Sequence, residues 1–145
     1  MNPSPLHELA QLGETVSKAV AMISVPNVSE SLAWYESIGF TVLNVFEENS
    51  VMNFAMIAFG RAQIMLSLGE PGPIGTSLWL YTDKVDELYE AFRKRQTNLQ
   101  GETGLPAGGK IEFAEDINDT FYHARQFGIC TPDGYILYFI RNLPY

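Results

Sequence analysis

The side chains best suited to chemistry are scarce here: two histidines, His7 and His123, a single cysteine, Cys130, and two tryptophans, Trp34 and Trp79. A metal-independent catalyst would need a base beside a nucleophile. His123 and Cys130 are seven residues apart, an odd separation that turns them to opposite faces of one unbroken strand. Two isolated histidines make no metal-ligand pattern. There is no Ser-His-Asp order, phosphate loop or dinucleotide fingerprint. What these residues can do is bind. Trp79 and Tyr81 alternate along Ser77 to Tyr81 and offer flat apolar rings on one face, while Glu47, Glu48, Glu112, Asp116 and Asp119 gather near strand ends, where they attract cations. Tyr122 and His123 add a ring and a group able to change charge near neutrality.

Composition limits the partners. Nine Lys and Arg face seventeen Asp and Glu, a net charge of -8 that repels nucleic-acid backbones and anionic membranes. No run approaches the ~18 apolar residues that span a bilayer, and the first thirteen residues lack the basic start and apolar core of a signal peptide. One cysteine allows no intrachain disulfide, which fits a reducing cytoplasm, and Cys130 reads as a small core residue. With 145 residues, 46% of them hydrophobic, the chain is expected to build one ordinary domain over residues 14–145, preceded by an appended helix over residues 1–13.

The elements follow from periodicity and punctuation. Ser4 and Pro5 open the appended helix, Leu6, Leu9 and Leu12 form its stripe, and Gly13 ends it. Such a stripe needs a cover. Lys18 to Val25 predicts a strand, and a helix follows from Ser29 to Ile38, stopped by Gly39. Three strands follow over Phe40 to Glu47, Asn53 to Phe59 and Ala62 to Leu68. After the loop Gly69 to Gly75 the pattern restarts. A strand over Ser77 to Tyr81 and a helix over Val85 to Arg95 lead to a loop over Asn98 to Gly109, then strands over Lys110 to Glu115, Phe121 to Thr131 and Tyr135 to Arg141.

The halves superpose when the first is shifted by 57 residues, Ile23 falling on Leu80, Val28 on Val85, Glu30 on Glu87 and Tyr35 on Phe92. Two copies at this period predict an α+β fold of two tandem βαβββ modules, residues 18–68 and 76–141.

Asn27 to Phe40 (NVSESLAWYESIGF) and the turn Thr131-Pro132-Asp133-Gly134, taken with the repeat, resemble the glyoxalase, bleomycin-resistance and extradiol-dioxygenase superfamily, the vicinal oxygen chelate fold. Thr76 to Tyr89 and Arg125-Gln126-Phe127 are most similar to its antibiotic-binding bleomycin-resistance proteins. In the metalloenzymes of that superfamily the ligands project from the first and last strands of each module. The resemblance places those positions at Val20, Ser77, Tyr138 and one of Ile64, Met65, Leu66 and Ser67, none an imidazole, thiolate or carboxylate.

The resemblance therefore implies a binder with no metal and no cofactor. Strand alternation puts Met22 with Val20, and Trp79 and Tyr81 with Ser77, on the cleft face. Trp79 and Ser67 match cleft positions of the resistance proteins, Trp79 the one that stacks on drug. Those proteins carry a Trp-Gly pair before the Arg-Glu-Phe phrase, whereas Tyr122-His123-Ala124 stand here, so Tyr122 or His123 would stack instead. The expected site is Trp79, Tyr81, Ser67, Met22, Tyr122, His123, Tyr138, Glu47 and Glu48. Its ligand is a small molecule, and the resemblance implies a homodimer. Two other readings carry different expectations: a lyase, isomerase or dioxygenase with a rearranged metal site, or an interaction module that docks through the leucine stripe.

Overall fold

The computed structural model describes residues 4–100 and 110–144. Eleven elements follow in order: α1 (Pro5–Gly13), β1 (Ala21–Val25), α2 (Val28–Ser37), β2 (Thr41–Glu48), β3 (Val51–Phe59), β4 (Ala62–Leu68), β5 (Ser77–Tyr81), α3 (Val85–Gln100), β6 (Glu112–Asp119), β7 (Ala124–Cys130) and β8 (Ile136–Asn142). The fold is α+β, two βαβββ modules behind a short helix. Each module makes a four-stranded sheet, ordered β1-β4-β3-β2 and β5-β8-β7-β6. In each, the first strand runs parallel to the last and the other pairs are antiparallel. The crossover helix covers one face, here the core face; the other is the open face.

Alternation sorts the side chains between these faces. Ile23 and Val25 of β1, Ile64 and Leu66 of β4, and Leu137 and Phe139 of β8 are buried on the core faces. The helices contribute Val28, Leu32, Trp34 and Tyr35 from α2 and Val85 and Phe92 from α3. All of these belong to one hydrophobic cluster, so the two modules share a core. Phe59 of the first module lies 5.8 Å from Phe139 and 6.3 Å from Phe92 of the second, ring centre to ring centre. Directed bonds set the register between them. Trp34 Nε1 donates to Lys110 O at 3.0 Å, Arg95 Nε to Ser37 O at 2.8 Å, Ser31 Oγ to Asp133 Oδ2 at 2.6 Å, and Tyr135 Oη to Ser24 O at 2.6 Å.

Several boundaries differ from the sequence expectation for local reasons. Helix α2 starts at Val28 rather than Ser29, because the Asn27 side chain accepts the Glu30 amide and caps it. Ser29 Oγ donates to that same carboxamide instead. Strand β3 begins at Val51, since Asn49 and Ser50 both take positive φ and make a tighter turn than expected. Helix α3 runs on to Gln100, so Asn98 and Leu99 are helical; the rest of the expected loop, residues 101–109, lies outside the described residues. Strand β6 is displaced to Glu112–Asp119, and β7 starts at Ala124 instead of Phe121. Cys130, expected in the core, is only half-buried. The stripe of α1 finds no cover among the described residues: Leu6, Leu9 and Leu12 are exposed, and no residue of that helix is buried.

Tyr35 carries a stability prediction. Its ring is fully buried between Trp34 and Phe40, but its hydroxyl has no hydrogen-bond partner among the described residues. Burial first, then Asp133 and Tyr135, push its pKa far above the ordinary tyrosine value. The folded state therefore holds this proton more tightly than the unfolded chain. The associated stability is intact below pH ~10 and is lost as pH rises beyond it. Tyr35→Phe is expected to raise stability by up to about 1 kcal/mol at neutral pH, since it removes an unpaired buried hydroxyl, and to delay alkaline unfolding. Chemical denaturation at neutral and alkaline pH checks this, and a variant that unfolds earlier in base contradicts it.

Candidate functional site

The open face of the second sheet is organised in rows that cross the strands. The central row runs Trp79 of β5, Tyr138 of β8, Gly128 of β7 and Glu115 of β6, each directly opposite the next. Directly paired residues share a face, so these side chains emerge together. The row above is Ser77, Ile136, Cys130 and Glu112, and the row below contains Tyr81, Ile140, Gln126 and Asn118.

Trp79 and Tyr138 stack with ring centres 4.2 Å apart and planes 18° from parallel. Trp79 Nε1 donates to Ser77 Oγ at 2.9 Å, which fixes the indole by its edge. The tyrosine ring lies across Gly128. A methyl group added to that glycine would sit 2.9 Å from Tyr138 Cε1 and 3.2 Å from Ile136 Cγ2, so only glycine leaves room for this ring. Burial, followed by the nearby Glu115, Tyr122 and Cys130, raises the Tyr138 pKa, so its hydroxyl stays a neutral donor or acceptor. Trp79 nevertheless keeps 44% of its surface exposed, an indole held by stack and hydrogen bond with solvent in front of it.

Polar groups complete this face. Gln126 is buried and bonded at both ends of its amide: Nε2 donates to Glu115 Oε2 at 2.7 Å, and Oε1 accepts the Tyr122 hydroxyl at 2.6 Å. Asn118 Nδ2 donates to the same Glu115 oxygen at 3.2 Å. The carboxylate is thus clamped by two amides through Oε2, and Tyr122 is tethered at the margin of the row.

The expected site residues do not all meet. Tyr138, Trp79 and Tyr122 come together, and Tyr81 lies one row below on the same face. Met22 and Ser67 occupy the open face of the other sheet, where Ser67 pairs with Ser24. Glu47 and Glu48 end that sheet's outer strand β2, and Glu48 accepts a 3.4 Å bond from Asn53. His123 is not in a strand at all. It sits in the turn before β7 with φ +58°, so the alternation argument against a His123–Cys130 pair does not apply to it. The acidic rim largely dissolves into local ion pairs: Glu112 with Lys110 at 2.7 Å, Asp119 with Arg125 at 2.9 Å, and Asp116 with the Tyr89 hydroxyl and Arg93. The cysteine thiol is pushed above its usual value, by burial first and then by Glu112, and so is held in its less nucleophilic form.

Val20 precedes β1 and, with Lys18, Arg61, Gln63 and Trp79, lines a groove of about 370 Å³ between the modules. Strands β1 and β5 each pair on one side only, so their free edges border this part of the molecule. The ligand positions expected from the metalloenzymes do not suit a metal. Val20, Ser77 and Tyr138 offer no anionic or imidazole donor, and Ile64 and Leu66 point into the core. Among the described residues there is no group of three or more His, Cys, Asp or Glu that could hold an ion, and no helix is long and apolar enough to cross a membrane.

Sequence reasoning missed three members of this face. A glycine inside a strand was a usable sign at Gly128, because it marks a close approach. Gln126 gave none, since a buried polar residue reads like any other until its partners are known. Glu115 was hidden by a change of register.

Curated proteins provide no match to this chain. Solved structures do. The chain is similar to the crystal structure of TioX from Micromonospora sp. ML1, at 19% identity and TM-score 0.66, covering 88% of this chain and 100% of that one. A glyoxalase-related enzyme from Clostridium phytofermentans shows 18% identity and TM-score 0.66 over 89% of this chain and 97% of its own. A bleomycin-binding protein complexed with bleomycin shows 19% identity and TM-score 0.63 over 88% and 99%. At such identities these likenesses speak to the fold. The sequence also matches the profile of one family over residues 17–139, spanning both modules and their sheets. The chain belongs to the Glyoxalase/Bleomycin resistance protein/Dioxygenase superfamily.

Proposed function

We propose that this protein binds a small molecule without a metal, on the open face of its second sheet, and works by sequestration. The observation that carries this reading is the Trp79–Tyr138 stack, fixed by Ser77 and Gly128 and still open to solvent. An indole whose only role was to fill a core would be buried, as Trp34 is at 1% exposure. A rigid, half-exposed ring is a preorganised surface for a flat ligand. The similarity to a bleomycin-binding protein supports the same reading, with Tyr138 beside Trp79 in place of the expected Tyr122 or His123 as the second ring.

A second copy of the chain completes the site in this reading. Support comes from Met22 and Phe46, 62% and 63% exposed, on the open face of the first sheet, and from Tyr81, 67% exposed, on the second. Large apolar side chains left exposed on the open faces of both sheets suit association with a second copy. Residues 14–145 would act as one domain in that dimer, in the cytoplasm, with neither nucleic acid nor membrane as partner.

Fluorescence gives a clean test, because Trp34 is buried and Trp79 is open, so a ligand quenches mainly Trp79. Titration with cationic glycopeptides and aromatic metabolites is expected to give saturable quenching by at least one compound. Trp79→Ala is expected to weaken that compound's binding about tenfold or more, read by calorimetry, corresponding to ~1.4 kcal/mol. Light scattering on the same samples is expected to give twice the chain mass. Absence of saturable binding across the panel, or monomers throughout, overturns the corresponding half of the proposal.

A further inference from the structure

The row that carries the aromatic stack ends on an acid whose second oxygen is unused. Glu115 Oε2 accepts both amides, from Gln126 at 2.7 Å and Asn118 at 3.2 Å, whereas Oε1 has no partner among the described residues. The other candidate acids of this sheet are already engaged, Glu112 by Lys110, Asp116 by Tyr89 and Arg93, and Asp119 by Arg125, whereas Glu47 and Glu48 lie on the other sheet. Around Glu115 stand rings: Tyr138, one strand beyond Gly128, and Tyr122, joined to it through Gln126. Among the described residues no cation is bonded to it.

We infer that Glu115 selects the ligand by charge, and that the ligand is an elongated aromatic cation with N–H donors, of the amidinium, guanidinium or primary ammonium class. The inference rests on the binding reading above and narrows it. Three features combine. A half-buried carboxylate held by two neutral amides is fixed in direction, so its free oxygen can accept a charge-assisted hydrogen bond without being ordered anew. Aromatic faces beside it favour a cation over an anion. Spacing sets the length: Trp79 and Glu115 lie three strands apart in one row, about 14 Å between backbones, so a ligand that touches both must be longer than a single ring.

The choice of donor class follows from the acceptor. A quaternary ammonium would satisfy the rings but leave Oε1 without a hydrogen bond, whereas an amidinium satisfies both. An anionic ligand would place two negative charges together, and a neutral amide would donate more weakly. The Gln126 clamp makes Glu115 a specificity residue and Gln126 its positioning residue.

Three probes of one shape separate these cases: biphenylcarboxamidine, biphenylcarboxamide and biphenylcarboxylate, titrated into the full chain by calorimetry and by Trp79 quenching. The amidine is expected to bind about 10- to 100-fold more tightly than the amide, with the carboxylate weakest. Glu115→Gln is expected to bring the amidine down to the level of the amide, the amidine losing more affinity than the amide does. Glu115→Asp, which keeps the charge but withdraws it, is expected to fall between; its thermal midpoint and that of Glu115→Gln show whether the fold is intact. Equal binding of amidine and amide by the wild type overturns the inference, as does a uniform loss of all three in Glu115→Gln. If the three probes bind alike yet Trp79→Ala abolishes them, the binding reading stands and charge selection fails. If none binds, both fall.

Discussion

Phe127→Ala is expected to cost about 3–5 kcal/mol, the largest stability loss of any single substitution considered for this chain. Phe127 is fully buried and sits where four aromatic neighbours converge: it stacks on Phe139 at 5.2 Å and 20°, and meets Tyr89 at 5.3 Å, Phe92 at 5.9 Å and Phe113 at 6.1 Å. Those neighbours come from β8, α3 and β6, so its removal opens a cavity between every layer of the second module. The cost reaches the first module as well, since Phe139 and Phe92 are the rings on which Phe59 rests. At this chain length a loss of that size lowers the thermal midpoint by about 6–20 °C. It also takes a large part of a stability that for ordinary domains is about 5–15 kcal/mol. Phe46→Ala provides the contrast: that ring is 63% exposed, and its loss is expected to change stability by under about 0.5 kcal/mol in the isolated subunit. Calorimetric unfolding of both variants decides the matter, and a Phe127→Ala loss below about 1 kcal/mol would show that the modules do not depend on this cluster.

The fold was legible because its signals are redundant. The repeat that brings Val28 onto Val85 and Tyr35 onto Phe92 reflects equivalent buried positions in two crossover helices. Alternation along SLWLY placed Trp79 on the open face correctly, because β5 is a regular strand. The same rule fails one module edge away. In Glu112–Asp119, strict alternation would group Glu115 with Phe113, against the core. Register shifts on either side of Glu115 bring it opposite Gly128 instead, on the same face as Glu112. A bulge exchanges faces, and nothing in the run EFAEDIND announces one. His123 illustrates another limit. Its left-handed backbone belongs to a turn closed by Thr120, whose hydroxyl accepts the Ala124 amide, whereas the local composition reads as strand. Acidic residues misled for a third reason: charge is visible in sequence, but whether it is already neutralised by Lys110, Arg93 or Arg125 is decided by packing across strands.

Gly128→Ala isolates the site from the fold. The added methyl group meets Tyr138 Cε1 at 2.9 Å, closer than side chains tolerate, with Cδ1 at 3.1 Å and Ile136 Cγ2 at 3.2 Å also tight, and the strand backbone beneath it is pinned by ladders to β6 and β8. The ring must therefore move. Because Tyr138 is what Trp79 stacks on, moving it dissolves the stack without touching the tryptophan. We expect a stability loss of about 1–3 kcal/mol from overpacking and a weakening of ligand binding by about tenfold, with the chain still folded. Steric conflict predicts more than a loss; it predicts a rescue. In Gly128→Ala combined with Tyr138→Ala the two nearest contacts vanish and only Ile136 Cγ2 at 3.2 Å remains, so the combined stability loss is expected to be smaller than the sum of the two single losses, a coupling of about 1 kcal/mol or more in a double-mutant cycle. Binding should not recover, since the platform is gone. Stability that returns while binding does not would assign Gly128 to the seating of Tyr138; strict additivity would mean that the ring avoids the methyl group at no cost, and that the Trp79–Tyr138 stack does not depend on the glycine beneath it.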